Sequence, residues 1–104
     1  MKVSDNPLVD EAEPEGLFDA LHHAREPIGV SILFGFLEHL LDNYGADPEA
    51  TFLVDEREIW FVPVVNPDGY VWNELYQTDR MWRKNRRVNG ACTGVDLNRN
   101  YSYE

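Results

Sequence analysis

The stretch that decides the fold runs from residue 16 to residue 45 and reads GLFDALHHAREPIGVSILFGFLEHLLDNYG. Its first seven residues, 16–22, are mostly apolar, which is typical of a buried strand. Pro27 predicts the start of a helix, because the first helical N–H has no partner in any case. Asn43-Tyr44-Gly45 supplies a candidate left-handed cap at the other end of that helix. Between these limits an apolar stripe recurs at spacings of four, formed by Ile28, Ile32, Phe36 and Leu40 together with Leu33, Leu37 and Leu41.

A second helix and a second strand follow. Asp47-Pro48-Glu49 offers an N-cap, a first-turn proline and a first-turn acid, which predicts a short helix to about Asp55. Residues 59–65 (IWFVPVV) predict a strand that is apolar on both faces, in which Pro63 removes a ladder donor and indicates an edge or a bulge. The order strand, helix, helix, strand makes a right-handed parallel crossover. The predicted fold class is therefore α/β, with a sheet too small to cover its helices.

The remaining segments are expected to be mostly loop. The acidic stretch that ends at Glu15 predicts a surface loop. Asn66-Pro67-Asp68-Gly69 is a strong turn signal, and a short helical piece is expected over residues 70–76 before irregular chain. No repeat or linker marks off a second domain, and 104 residues accommodate one domain at most.

Composition narrows the classes of partner. The 104 residues carry a formal charge of −10 and are 43% hydrophobic, which is ordinary globular composition. The negative charge opposes nucleic acid or a membrane surface as the main partner. No apolar run reaches the roughly 20 residues of a membrane span, and no apolar stretch of a signal peptide follows the first residues. The single cysteine, Cys92, excludes an internal disulfide framework, and it is either a free buried thiol or half of a disulfide with a partner elsewhere.

One short cluster, His22-His23-Ala24-Arg25-Glu26-Pro27, carries residues suited to metal chemistry. It lies where the predicted strand ends and the helix begins, the place where open α/β sheets bind ligands. A histidine and a carboxylate three residues apart can bind one zinc ion, and Pro27 leaves Glu26 outside helical geometry with a carboxylate free to turn back. Strand alternation puts His22 and His23 on opposite sides, so both are not expected to be ligands. The plainer alternative, which the spacing alone favours, is a surface histidine beside an acid that stabilises the helix dipole.

Two later clusters are ambiguous by themselves. Residues 82–87 (WRKNRR) predict a solvated basic loop, and the alternative of a nucleic-acid patch is opposed by the acidic chain. Residues 94–100 (GVDLNRN) place an arginine beside asparagines, which is a natural pocket for a carboxylate. A turn rich in Asn and Asp is the default interpretation of the same residues.

Taken together, four segments in this order resemble the zinc metallocarboxypeptidase family, and within it most closely the bacterial carboxypeptidase T branch. The segments are His23-Ala24-Arg25-Glu26, Asn66-Pro67-Asp68-Gly69, Trp82-Arg83-Lys84-Asn85-Arg86 and Gly94-Val95-Asp96-Leu97-Asn98-Arg99-Asn100. The resemblance covers residues 1–104. It implies part of a three-layer α/β/α fold with an incomplete, mostly parallel or mixed sheet. It also implies that residues 1–104 are the N-terminal portion of one peptidase catalytic domain.

The resemblance implies a metal site. His23 and Glu26 match two of the three protein ligands of a catalytic zinc ion. Asp96 matches a carboxylate that orients the zinc-bound histidine, the usual support for a metal-bound imidazole. Cys92 falls where some relatives carry half of a disulfide.

The resemblance also implies contacts with a peptide that has a free C-terminus. Arg83 would polarise the scissile carbonyl and hold the oxyanion. Arg25 would line the substrate cleft beyond the scissile bond. Asn98 and Arg99 would bind the C-terminal carboxylate, so that the enzyme removes single residues from that end.

Several residues of the family pattern are not found in the chain. The third zinc ligand, a substrate-binding tyrosine and the general-base glutamate are expected after residue 104. We therefore expect a fragment that begins inside the domain, after about its first strand, is inactive alone, holds zinc weakly and self-associates through uncovered apolar surface. Secretion or another extracytoplasmic location is expected from the family, although no targeting signal is present.

Two other classes of function stay open at this point. The first is a non-catalytic binding module that retains the metal half-site or the carboxylate pocket without turnover. A longer reading frame separates it from the peptidase, because the later histidine and glutamate are then present or absent. The second is a nucleic-acid binder that uses the basic loop, which the charge of −10 opposes.

Overall fold

The computed structural model describes residues 1–76 and 81–102, and a three-stranded sheet forms its centre. The strands are β1 (Lys2–Val3), β2 (Glu15–Asp19) and β3 (Glu58–Val62), in the order β1-β3-β2. β2 runs parallel to β3, whereas β1 is antiparallel to it. The predicted α/β class and the parallel pairing of the two crossover strands are therefore confirmed, in a mixed sheet.

Helices connect and follow these strands. α1 (Ile28–Asn43) and α2 (Pro48–Asp55) join β2 to β3, and α3 (Pro67–Leu75) follows β3. The chain then forms a small hairpin from β4 (Val88–Asn89) and β5 (Cys92–Thr93). Cys92 is exposed at the start of β5, so the alternative of a free buried thiol is wrong. A single 3₁₀ turn, Leu97–Arg99, comes last.

The core lies between the sheet and the first two helices. Leu40 of α1 is fully buried, and Phe61 of β3 is 2% exposed. Because side chains alternate along a strand, the neighbouring Trp60 and Val62 face the other side of the sheet and are 38% and 42% exposed. The cluster as a whole is made by Val3, Ala20, Leu33, Leu37, Leu40, Ala50, Val54, Ile59 and Phe61.

The helix ends mostly follow the predicted signals. Asp47 caps α2, and its Oδ1 accepts hydrogen bonds from the N–H groups of Glu49 and Ala50, both at 2.9 Å. Gly45 has a φ of 77°, the left-handed conformation that favours glycine after a helix. α1 begins at Ile28, one residue later than predicted, with Pro27 in the N-cap position.

The strand predictions need three corrections. β2 and β3 each end three residues earlier than predicted, at Asp19 and Val62. The prediction that Pro63 indicates an edge strand or a bulge is wrong, because β3 is the central strand and Pro63 lies beyond its end. The predicted surface loop also contains β1, whose two residues pair with Ile59 and Trp60 of β3.

The turn predicted at Asn66-Pro67-Asp68-Gly69 is the start of a helix. The Asn66 Oδ1 atom accepts a hydrogen bond from the Gly69 N–H at 3.1 Å, which caps α3. Pro67 occupies the first helical position, so α3 begins three residues before the predicted helical piece. An Asx cap and an Asx turn share this local sequence, and the following residues continue the helix.

A buried ion pair joins the N-terminal segment to β3. Lys2 Nζ lies 2.5 Å from Glu58 Oε1, and their side chains are 7% and 1% exposed. The same carboxylate oxygen accepts a hydrogen bond from the Glu11 N–H at 2.7 Å. The hydrogen bond from Lys2, followed by the one from Glu11, lowers the pKa of Glu58 below its usual range. The acidic segment before β2 is thus held against the sheet by a charge that stays ionised.

Much apolar surface is uncovered. The radius of gyration of the Cα atoms is 17.1 Å, against about 13 Å for a compact domain of about 100 residues. Leu17 on β2 and Ile28 and Ile32 on α1 are 65%, 69% and 64% exposed. The described residues thus form a partial α/β fold with open faces. None of its described helices has the length and apolar character needed to cross a membrane.

Two adjacent leucines of α1 provide a matched test of this core. Leu40 is 0% exposed and Leu41 is 59% exposed. We expect Leu40→Ala to lower the free energy of unfolding by about 2–5 kcal/mol, because it removes packed methyl groups and leaves a cavity. Leu41→Ala should change it by less than about 0.5 kcal/mol. Denaturant titration measures both values, and equal losses for the two variants would contradict the packing described.

Candidate metal centre

The candidate site lies in the turn between β2 and α1. β2 ends at Asp19, and Leu21 then takes a φ of 61°, a conformation that bulky side chains rarely adopt. The chain changes direction here, so His22 and His23 lie in the turn that follows the strand. The Asn66 side-chain N–H donates to the His22 carbonyl oxygen at 3.0 Å, which ties the turn to the start of α3.

His23 lies between two carboxylates. Its Nδ1 atom is 3.0 Å from Glu26 Oε2, and its Nε2 atom is 3.1 Å from Asp96 Oδ1. The ring is buried, with 8% of the residue exposed. His22 makes other contacts, because its Nδ1 lies 3.6 Å from Asp19 and its Nε2 contacts the Tyr101 hydroxyl. The two histidines contact different residues, but the predicted strand alternation does not separate them, because β2 ends at Asp19.

Arg83 completes a ring of charges around His23. Its Nε–H donates to Asp96 Oδ2 at 2.9 Å, and its Nη1 lies 3.8 Å from Glu26 Oε1. The hydrogen bond from Arg83, and after it the one from His23, lowers the pKa of Asp96 below its usual range despite partial burial. Asp96 is therefore ionised at neutral pH and accepts hydrogen bonds from both neighbours.

The donor atoms suit one zinc ion. Nε2 of His23 lies within hydrogen-bond distance of the ionised Asp96, so Nδ1, on the side that faces Glu26, is the ring nitrogen left for a metal ion. The 3.0 Å between Nδ1 and the Glu26 oxygen is close to the roughly 3.4 Å expected between two ligands of a tetrahedral zinc. Within residues 1–76 and 81–102, no third His, Cys, Asp or Glu atom joins this pair. A typical catalytic zinc site has three protein ligands, and this pair offers two donor atoms of suitable type.

The three predicted substrate residues are not brought together equally. Asn98 lines a cavity of about 300 Å³, and His23 and Glu26 line the same cavity. Arg99 is exposed, and its Nη1 donates to the Asn98 carbonyl oxygen at 2.7 Å. Arg25 does not line this cavity, and its Nη1 donates to the Met81 carbonyl oxygen at 3.4 Å.

Two glycines that support the site carry no chemical signal of their own in the sequence. A Cβ added at Gly69 would lie 2.7 Å from the Lys84 carbonyl oxygen and 2.8 Å from the Ala24 side chain. Gly94 has a φ of 91°, and a Cβ there would lie 2.8 Å from the Asn85 carbonyl oxygen. Both glycines are needed for close approach of the basic loop. Only the turn-like sequence around them could have drawn attention to them.

The comparisons agree with this geometry. A sequence model of the family described as "Zinc carboxypeptidase" matches residues 1–104. The chain belongs to the zinc carboxypeptidase family, and the predicted resemblance is confirmed at that level.

Particular relatives show how much of such a protein the chain represents. A "Zinc carboxypeptidase" of Saccharothrix mutabilis subsp. capreolus is 45% identical over 104 residues, which are 100% of this chain and 24% of the relative. An "Inactive metallocarboxypeptidase" of Ajellomyces capsulatus is 42% identical over 107 residues, covering 100% of this chain and 18% of the relative. The crystal structure of carboxypeptidase A from Helicoverpa armigera superimposes with a TM-score of 0.74 at 30% identity, over 97% of this chain and 24% of that one. The chain thus spans about a quarter of the first of these relatives.

The hydrogen bond between Asp96 and His23 predicts a measurable effect on metal affinity. In the full-length protein, we expect Asp96→Asn to weaken zinc binding about 10- to 100-fold, because the imidazole loses the acceptor that fixes its orientation. Asp42→Asn, a change at an exposed position of α1, is the control and should bind zinc normally. Competition with a chelator of known affinity measures both. Wild-type affinity in Asp96→Asn would show that Asp96 does not support a metal ligand.

Proposed function

We propose that residues 1–104 are the N-terminal portion of the catalytic domain of a zinc metallocarboxypeptidase that hydrolyses C-terminal residues from peptides. The observation that carries this proposal is the imidazole of His23, with Glu26 on one nitrogen and Asp96 on the other. Membership of the zinc carboxypeptidase family supports the same assignment. Three observations support the proposal that the chain is part of a larger domain. They are the partial sheet, the uncovered apolar faces and the share of the relatives that the chain spans.

His23 and Glu26 would hold the zinc ion in this proposal. When bound, zinc supplies Lewis-acid activation of a water molecule and of the peptide carbonyl. Asp96 would accept a hydrogen bond from Nε2 of His23 and so leave Nδ1 to face the metal. Glu26 has a half-exposed side chain, so its carboxylate can move toward an ion without unpacking the core.

Arg83 is proposed to stabilise the oxyanion that develops on the scissile carbonyl. Its Nε is engaged by Asp96, which fixes the plane of the guanidinium. Within the described part of the chain, its terminal nitrogens have no hydrogen-bond partner, and Nη1 lies 3.8 Å from Glu26 Oε1. The N–H groups of a fixed cation beside the metal ligands are thus left for an oxygen that gains negative charge.

This role predicts a kinetic signature for Arg83 in the full-length enzyme. Arg83→Ala should lower kcat by about 10²–10³-fold, the usual effect of removing one oxyanion donor. KM should change much less, since the contact forms mainly in the transition state. Steady-state kinetics on a peptide substrate measures both constants. If KM rose while kcat stayed at the wild-type value, Arg83 would be a binding residue.

Asn98 and Arg99 are proposed to bind the C-terminal carboxylate of the substrate. Asn98 supports this because it shares a cavity with His23 and Glu26. Arg99 has an exposed guanidinium on the adjacent residue, held at one nitrogen by the Asn98 carbonyl oxygen. Arg25, whose guanidinium reaches Met81, is proposed to contact the substrate further along the cleft.

A comparison of two substrates tests the carboxypeptidase activity itself. In the full-length enzyme, Arg99→Ala should lower kcat/KM on peptides with a free C-terminus. The loss should correspond to about 2–5 kcal/mol of transition-state stabilisation, the cost of losing a buried charge-assisted pair. The amidated form of the same peptide should be cleaved poorly by the wild type, with little further loss in the variant. Equal losses on the free and amidated peptides would remove Arg99 from the carboxylate pocket.

A non-catalytic binding module derived from the same fold is the second candidate. The observation that favours this candidate is a relative whose name calls it inactive, and the match to that relative covers 100% of this chain. A module of this kind would bind a peptide carboxylate or a metal ion without turnover. Secretion or another extracytoplasmic location stays a prediction for either candidate.

The isolated 104-residue chain should show no peptidase activity and bind zinc weakly, because two protein ligands supply less than the usual three. We also expect it to self-associate through exposed apolar residues such as Ile28 and Ile32. Zinc titration, an assay for C-terminal release and light scattering test these expectations. The matched variants are His23→Ala and His22→Ala. Residual zinc binding should be lost in the first and kept in the second. Measurable turnover by the isolated chain would overturn the fragment proposal.

A further inference from the structure

Asn73 makes an unusual pair of hydrogen bonds. It lies on α3 with 6% of its surface exposed. Its side-chain N–H donates to the Trp82 carbonyl oxygen at 3.0 Å, and the Trp82 N–H donates to its Oδ1 at 3.0 Å. One amide therefore pairs with both backbone groups of a single residue, as a neighbouring strand would. This contact fixes the position and the direction of the chain at Trp82.

Arg83 follows directly, and its backbone is held from the other side. The Ala24 N–H donates to the Arg83 carbonyl oxygen at 3.0 Å, next to His23. The Trp82–Arg83 dipeptide is thus clamped between α3 and the turn that carries the candidate metal ligands. Asn73 acts on one side of this clamp, and Ala24 acts on the other.

Side-chain stacking reinforces the same position. The guanidinium of Arg86 lies 3.4 Å from the ring centroid of Trp72 and 4.3 Å from that of Trp82. Trp72 is the neighbour of Asn73 on α3, so the loop is attached to this helix through both backbone and side-chain contacts. A shift of Trp82 away from Asn73 would move Arg83 relative to Asp96.

We propose that Asn73 is a positioning residue for Arg83, which sets the guanidinium where the oxyanion develops. The inference rests on the role given to Arg83 under the proposed function. Asn73 lines a small cavity with Ala24 and Arg25. Among the described residues, its side-chain hydrogen bonds are both with the Trp82 backbone, and none is with a candidate metal ligand or with Arg99. Loss of these two hydrogen bonds should therefore change the transition-state contact more than substrate or zinc binding. A displacement of about 1 Å at a reacting group is enough to cost about 10²-fold in rate.

The test is a double-mutant cycle in the full-length enzyme, with kcat, KM and zinc content measured for each variant. Asn73→Ala should lower kcat about 10- to 100-fold, with KM and zinc content close to wild type. In an Arg83→Ala background the same change should have little further effect on kcat, because the group it positions is gone. Asn73→Asp keeps the size and the acceptor for the Trp82 N–H but places a carboxylate oxygen against the Trp82 carbonyl oxygen, and it should lower kcat in the same way. Val54→Ala, a buried change on α2, is the control for lost stability and should keep the wild-type kcat.

The outcomes separate this inference from the proposed function. If Arg83→Ala lowers kcat while Asn73→Ala and Asn73→Asp do not, the inference is wrong and the role of Arg83 stands. A loss from Asn73→Ala that is equally large in both backgrounds, or that comes with lost zinc, shows a general structural role and also overturns it. If Arg83→Ala itself keeps the wild-type kcat, the role of Arg83 fails and the inference fails with it. Should Asn73→Ala not fold, the same comparison is made with Asn73→Asp in the two backgrounds.

Discussion

The carboxylate of Asp96 is the contact on which the rest of the site depends. It accepts hydrogen bonds from His23 Nε2 at 3.1 Å and from Arg83 Nε at 2.9 Å, and so joins segments that are far apart along the chain. Because Arg83 keeps the pKa of Asp96 low, the acceptor stays ionised and directs the free imidazole nitrogen toward Glu26. Neutralising this one carboxylate would loosen both the candidate metal ligand and the candidate oxyanion donor.

The fold holds these segments at the same end of the sheet. The parallel pairing of β2 and β3 brings the end of one strand beside the start of α3, where Asn66 bonds the His22 carbonyl oxygen. The basic loop then lies against this junction through the hydrogen bond between Ala24 and Arg83. At Gly69, where α3 comes closest to the basic loop, there is no space for a side chain. The candidate metal ligands and Arg83 are therefore positioned by backbone contacts as well as by charge.

The sequence predicts the local parts of this structure better than the distant contacts. The α1 stripe and the Asp47 cap depend on residues within one or two turns, and both lie where the pattern places them. β1 has two residues, and its pairing with β3 depends on chain folding that no local pattern encodes. The turn-like residues at 66–69 start a helix instead, since an Asn-Pro pair suits both structures.

The site shows the same division. The spacing of His23 and Glu26 indicates a metal half-site, and the two side chains do meet. The pairing of His23 with Asp96, 73 residues later, could be expected only from the family resemblance. Asn73 gives no signal in the sequence, because a buried asparagine is recognised only by the backbone groups that it bonds. Asn66 is marked as part of the turn-like segment 66–69, but its hydrogen bond to the His22 carbonyl oxygen is not. The proposed substrate residues Arg25 and Arg99 keep exposed side chains, and no local pattern predicts their hydrogen bonds to backbone carbonyl oxygens.

The most direct measurement is a crystal structure of the full-length protein with anomalous diffraction data collected at the zinc absorption edge. We expect one strong peak about 2.1 Å from His23 Nδ1 and from a carboxylate oxygen of Glu26, with Nε2 still hydrogen-bonded to Asp96. A zinc ion bound to His23 Nε2, or to His22 in place of His23, would contradict the account. A zinc-loaded protein with no peak between His23 and Glu26 would contradict it as well.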